Sequence, residues 1–249
     1  MKTLNSRKQK ILGAVVNDYL RCAEPVSSDA IRKKYMRDIS PATIRNEMAQ
    51  LEEEGFLQHP HTSSGRVPSD MGYRYFVNQL MKLRGLTQKE IAFMEKEYKK
   101  TGKNLEELLH ATLKISAALS HLLAVITAPD LPFKVFSSGL TNIMDQPEFS
   151  DSEHIKNILS VIEHEDVIEQ IIGDSATDNA VTIRIGSEIK HKKIKDCSIV
   201  VSKYSLLGES VGTISIIGPT RMTYSKVTAI VDTVSKTLRS ILSEGSERS

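Results

Sequence analysis

Arg45 and Asn46 stand side by side in the stretch Ser40-Pro41-Ala42-Thr43-Ile44-Arg45-Asn46-Glu47-Met48-Ala49-Gln50-Leu51. Both residue types suit the reading of nucleic-acid base edges. An arginine fork donates to guanine, and an asparagine amide pairs with the donor and acceptor of adenine. At helical spacing Ala42, Arg45, Asn46, Ala49 and Gln50 share one face, opposite Ile44, Met48 and Leu51. The small residues on the polar face let a helix lie deep in a major groove. A solvated surface helix would carry similar residue types, so the elements around this one decide between the two readings.

A second polar stretch follows: Pro60-His61-Thr62-Ser63-Ser64-Gly65-Arg66-Val67-Pro68, turn residues between two prolines with a single arginine. Hydroxyls, backbone N–H groups and one guanidinium suit phosphate contact or entry into a minor groove. A phosphate contact through Arg66 predicts a shallower salt dependence of binding when it is removed. His59 and His61 lie two residues apart, but no cysteine or further histidine stands at a ligand-like interval, so a polar loop is expected there and no metal.

The elements that must position these residues are legible. Ile11, Leu12, Val15, Val16, Tyr19 and Leu20 form the stripe of a first helix, from Arg7 to the stop at Glu24-Pro25. A short second helix starts at Ser27 or Ser28, with Ala30, Ile31 and Tyr35 inward and Arg32, Lys33 and Lys34 outward. Ser40 followed by Pro41 is a cap and first-turn signal for the third helix, and Gly55 closes it. Phe56 to His59 is expected as a short strand leading into a wing. A last helix from Ser69 or Asp70 to about Leu83 has Tyr73, Phe76, Val77 and Leu80 inward. Three helices, a hairpin and a fourth helix make a winged helix-turn-helix, and in that setting the groove reading of Arg45 and Asn46 prevails.

Charge supports the same reading. Net charge over the 249 residues is only +2, yet residues 1–84 hold 14 Lys and Arg against 9 Asp and Glu, a local +5, while the remainder is −3. Clustered positive charge is what a phosphate surface requires. With 40% hydrophobic residues and no apolar run of membrane-spanning length, a soluble cytoplasmic protein is expected. Cys22 and Cys197 are too few and too far apart for a disulfide framework. No phosphate-cradling glycine loop, nucleophile elbow or zinc pattern occurs, and Glu52-Glu53-Glu54 falls at a helix end where solvated carboxylates are common. Neither an enzyme nor a cofactor is expected.

The sequence resembles the HrcA family of heat-inducible repressors of bacterial chaperone operons. The resemblance rests on Glu24-Pro25-Val26, the run from Ser40 to Met48, Leu51-Glu52, the run from Pro60 to Pro68 and Gly72-Tyr73-Arg74. A second set lies further on: Asn142-Ile143-Met144-Asp145-Gln146-Pro147-Glu148-Phe149, Arg184-Ile185-Gly186, Asp196-Cys197-Ser198 and the run from Ile217 to Tyr224. The resemblance implies an inverted-repeat operator on double-stranded DNA, release of repression on heating and its restoration with a GroEL-type chaperonin. Carried over by position, the DNA-contacting candidates are Thr43, Arg45 and Asn46 on the third helix and His61, Thr62 and Arg66 in the wing.

Beyond residue 84 a linker helix over 85–103 opens with the capping box Thr87-Gln88-Lys89-Glu90 and carries Ile91, Met94 and Tyr98 inward. Residues 104–249 are expected to form a regulatory and dimerising domain. Its helices are predicted over Asn104 to His121, Ser152 to Glu163 and Tyr224 to Leu242, and its strands over Leu122 to Ala128, Val181 to Ile185, Ser198 to Tyr204 and Val211 to Ile217. The fold class is therefore α+β, a winged helix-turn-helix domain followed by an α+β domain that the resemblance implies is GAF-like. Family members typically carry an inserted dimerising module, whereas here Ala128-Pro129-Asp130-Leu131-Pro132-Phe133 joins the flanking parts directly. A homodimer is expected on symmetry grounds. The stripe Val227, Ile230, Val231, Val234, Leu238, Ile241 and Leu242 is the candidate surface, though a stripe of this kind more often belongs to a chain's own core. Two rival readings are a small-ligand-sensing winged-helix regulator of unrelated genes and an interaction module that keeps the winged helix as scaffold.

Overall fold

The computed structural model describes residues 3–60, 65–102, 104–129, 131, 134–177, 180–206 and 209–246. The chain divides into two compact units, Met1–Lys82 and Leu83–Ser249.

In the first unit, the Asn5 side chain accepts the Lys8 N–H at 2.9 Å and starts α1, Ser6–Cys22. Ile11, Leu12, Val15 and Val16 are fully buried. Ala23, in left-handed backbone at φ 56°, ends the helix before Pro25. Ser27 caps α2, Ser28–Tyr35, by accepting the Ala30 N–H. Tyr35, expected inward, is instead exposed. The helix stops there, Met36 leaves helical backbone at φ −142°, and the Met36 side chain takes the buried place. Ser40 and Pro41 open α3, Pro41–Glu53, whose Ile44, Met48 and Leu51 are buried as the spacing predicts.

Gly55, at φ 83°, reverses the chain into β1, Leu57–Gln58. This strand is shorter than the four residues expected. It pairs antiparallel with β2, Val67–Pro68, and Val26 bridges to Arg66 with reciprocal backbone bonds of 2.9 and 3.0 Å. Helix α4, Asp70–Tyr75, starts on the Ser69 cap and continues as a wide π-type turn over Phe76–Leu80. The wider turn changes the phase of the helix. Tyr73, Tyr75 and Phe76 are buried, whereas Val77 and Leu80, expected inward, are half-buried, and the helix stops three residues short of Leu83. Gly72 lets α4 touch the backbone just before β1: a Cβ there would lie 2.1 Å from the Phe56 carbonyl oxygen.

The second unit begins with α5, Gln88–Lys99. Thr87 and Glu90 form the expected reciprocal cap, with Glu90 held below its ordinary carboxylate pKa chiefly by the Thr87 N–H. Met94 and Tyr98 are buried and Ile91 is exposed. The helix lies on its own unit, since Tyr98 bonds Thr112 of α6, Leu105–Ser120, at 2.8 Å, and Glu90 meets Lys226 at 3.4 Å.

Five strands then form one antiparallel sheet in the order β4-β3-β7-β6-β5, from β3, Leu123–Thr127; β4, Val135–Ser138; β5, Thr182–Ile185; β6, Cys197–Leu206; and β7, Glu209–Pro219. Between β4 and β5 run α7, Leu140–Met144; α8, Ser152–Ile162; and α9, Glu165–Ser175. The long α10, Tyr224–Ser246, follows the sheet. Helices α6 and α10 cover one face, while α8 and α9 cover the other. Strand alternation divides the residues accordingly: Leu123, Val125, Ile199 and Val201 pack with Ile158, Val161, Ile168 and Ile172. On the opposite face the Ser198 hydroxyl bonds the Tyr224 hydroxyl of α10 at 2.8 Å. This is the GAF-like α+β architecture. Strand β4 and helices α7 and α9 were not expected.

The α10 stripe takes the intramolecular one of the two readings open to it. Val227, Ile230, Val231, Val234 and Leu238 are 0–2% exposed within their own unit. They close the unit's own core over β6 and α6, so they are unavailable as a dimer surface.

Candidate nucleic-acid interface

Helix α3 is fixed from below and open above. Ile44, Met48 and Leu51 hold it to the core of its unit, and two ion pairs tie it to α1: Arg7 with Glu47 at 3.4 Å and Lys8 with Glu54 at 2.8 Å. Both pairs span at least forty residues, so no local sequence signal reveals them. On the outer face Arg45 and Asn46 are exposed, and neither side chain has a hydrogen bond or ion pair among the described residues. Gln50 is exposed beside them, with Ala42 exposed and Ala49 half-buried. Thr43 is half-buried, and its hydroxyl lies 2.9 Å from that of Ser40, which also accepts the Thr43 N–H. The arrangement presents a fork, an amide and little bulk on one rigid face.

Some of the unit's other charges are paired with one another. Asp18 takes Lys34 at 2.8 Å and Arg21 at 3.6 Å, and the Asp18 hydrogen bond raises the Lys34 ammonium above its ordinary pKa. Asp18, Glu47, Glu52 and Glu54 are thus neutralised within the unit. Lys10, Lys33, Arg37 and Arg45 have no carboxylate partner among the described residues. Over residues 1–84 the 14 Lys and Arg still outnumber the 9 Asp and Glu, a net positive charge that attracts a polyanion.

Arg66 is placed differently from the free phosphate contact expected at the wing. Its backbone bridges to Val26, its Nε donates to Glu52 Oε2 at 2.6 Å, and its guanidinium also meets the His59 ring. The side chain is 20% exposed. Arg66 therefore ties the stem of the wing to the last turn of α3. Glu52, expected as a solvated helix-end carboxylate, is its partner; the fourteen residues between them explain why sequence spacing did not reveal the pair. His61 and Thr62 lie outside the described residues.

The second set of motif residues is structural in its contacts. Asn142 donates to the carbonyls of Leu122 and Ala117 at 3.3 and 3.4 Å, joining α7 to the α6–β3 turn. Arg221 forks onto Glu148, with Nη2 at 3.3 Å from Oε2. The Ala128 N–H bonds the Lys134 carbonyl at 2.8 Å, closing the β3–β4 connection as a short hairpin. No group of three metal-ligating side chains gathers among the described residues, and no helix there is long and apolar enough to cross a membrane.

Comparison with known proteins agrees with this architecture. Residues 74–228 match the family described as HrcA protein C terminal domain. The chain is 30% identical to the heat-inducible transcription repressor HrcA of Pelotomaculum thermopropionicum, over 96% of this chain and 97% of that one. It is 32% identical to the protein of the same name from Carboxydothermus hydrogenoformans, over 96% and 98%. These alignments run over 337 positions, more than the 249 residues present here, so the relatives contain a stretch that this chain lacks. A crystal structure of a hypothetical protein shares the fold, with a TM-score of 0.79 at 18% identity over 97% of this chain and 98% of that one. From its first unit through its sheet domain, the chain belongs to the HrcA family of heat-inducible transcription repressors.

Proposed function

We propose that this protein represses chaperone genes by seating α3 in the major groove of an inverted-repeat operator. Arg45 and Asn46 read base edges, and Thr43 contacts the DNA at the start of the helix. The wing reaches the adjacent backbone or minor groove through His61 and Thr62, with Arg66 setting its angle through Glu52. The observation that carries the reading is the outward Arg45–Asn46 face, unpaired among the described residues, on a helix whose other side is locked into the core. A recognition helix needs this combination, because base readout depends on donors held in a fixed orientation.

A two-fold operator calls for a homodimer. With the α10 stripe committed to the core, the dimer contact uses another surface of the chain. The segment missing relative to longer relatives belongs at the β3–β4 hairpin, where Ala128 and Lys134 meet. The protein acts in the cytoplasm and has no catalytic step. Heating releases the operator, and a GroEL-type chaperonin restores binding.

The test is fluorescence anisotropy of the full chain on a duplex carrying the inverted repeat beside the chaperone operon of its own genome, against a shuffled duplex. Binding of two chains per duplex, at least about a thousandfold tighter than on the shuffled sequence, is expected. Equal affinity for both duplexes would refute sequence-specific repression.

A further inference from the structure

We propose that the second unit binds a small organic anion, an apolar body with a carboxylate or phosphate head, in the cavity between α9, β5 and the segment 186–191. This inference is independent of how the first unit reads DNA.

The cavity has a volume of about 490 Å³, within the range of ligand sites. Val167 and Ile171 of α9 and Ile189 give it apolar walls, and Gln170, Arg184 and His191 provide polar groups. Arg184 is the unusual member. On β5 it stands opposite Ile199 of β6, a fully buried residue of the core between sheet and α9. Cross-strand partners share a face, so Arg184 points toward α9, on the side where β6 carries Ile199 and Val201. Arg184 is half-buried, and its side chain has no hydrogen bond or ion pair among the described residues.

Two carboxylates line the same cavity, and neither forms an ion pair with Arg184 among the described residues. Glu188 accepts the Ile185 N–H at 3.0 Å, and Asp174 is exposed at the rim. A guanidinium can only donate, and withdrawing it from water without an acceptor is costly. An anionic head placed against Arg184 supplies the missing acceptor in the bidentate geometry that arginine favours. Val167, Ile171 and Ile189 then cover the body of the ligand. Lys190, exposed at the rim, draws anions toward the mouth.

Isothermal titration of the full chain with phenyl phosphate, benzoate and the neutral benzamide tests this directly. At least one anion should bind once per chain, about tenfold or more tighter than benzamide, the difference one charge-assisted hydrogen bond makes. Tighter phenyl phosphate identifies a phosphate-headed ligand, and tighter benzoate a carboxylate. Arg184→Gln should lower the preferred anion's affinity by about tenfold with an unchanged far-UV circular dichroism spectrum. Hydrogen exchange of the unmodified protein needs no variant: the bound anion should slow exchange within residues 165–191. Equal binding of benzamide, no binding of any probe, undiminished binding by a folded Arg184→Gln, or protection confined to other segments would each overturn the proposal.

Discussion

Cutting the tie between Arg66 and Glu52 tests how the wing is held. The Nε–Oε2 bond is 2.6 Å long, and the two side chains are 20% and 31% exposed, between a surface ion pair and a buried one. An exposed pair contributes about 0–1 kcal/mol and a hydrogen bond to a charged group about 1.5–3, so a coupling of about 1–2 kcal/mol is expected. The double-mutant cycle Arg66→Ala, Glu52→Gln and both together isolates it, read by urea unfolding of the first unit. With a urea slope of about 1–3 kcal/mol per molar, the coupling is a midpoint displacement of roughly 0.5–1 M. A coupling below about 0.5 kcal/mol would refute the tie, since independent sites already add within that margin. Salt dependence separates the two roles of Arg66. A phosphate contact lowers the slope of log affinity against log salt by about 0.9 when removed. A tie leaves the slope intact and weakens binding to operator and random DNA alike.

Other consequences follow from the packing and the buried groups. Gly72→Ala should destabilise the first unit by about 1–3 kcal/mol, because its Cβ would lie 2.1 Å from the Phe56 carbonyl oxygen; an unchanged urea midpoint would contradict that close approach. Gly173→Ala in α9 meets open space and should stabilise the second unit by about 0.5–1 kcal/mol through helix propensity, measured the same way. Cys22 is exposed, whereas burial pushes the Cys197 thiol up to about 12, so mass spectrometry after iodoacetamide treatment of the native protein should find Cys22 alone alkylated. Burial likewise pushes the Tyr98 hydroxyl from 10.0 up to about 12. The folded state thus holds this proton more tightly than the unfolded state. Its stabilising effect is complete below pH 10 and is lost as pH rises toward about 12, and Tyr98→Phe should flatten that part of the stability–pH curve.

Helix α3 was legible because local rules agree there: Ser40 and Pro41 start it, Ile44, Met48 and Leu51 mark its buried side, and Arg45 and Asn46 fall opposite. The capping box at Thr87 and the stripe of α10 were legible for the same reason. The partner of that stripe was not, because an apolar face looks the same whether it meets its own sheet or another chain. Tyr35 was misplaced because one residue of helix ending exchanges it with Met36. The role of Arg66 depends on Glu52, on a different element, and turn chemistry says nothing about that meeting. Strand β4 is four residues long, with no buried position among them, so it left little alternation to detect. Helix α9 did carry a readable pattern, with Ile168 and Ile172 one turn apart and both fully buried.

Arg45→Ala asks whether the outer face of α3 reads sequence. Anisotropy should be measured for the unmodified chain and the variant on operator and on random duplex at one salt concentration. If Arg45 reads a base, affinity for the operator falls by about 1–3 kcal/mol while affinity for random DNA is nearly unchanged. Equal losses on the two duplexes would make Arg45 a phosphate contact and contradict the account.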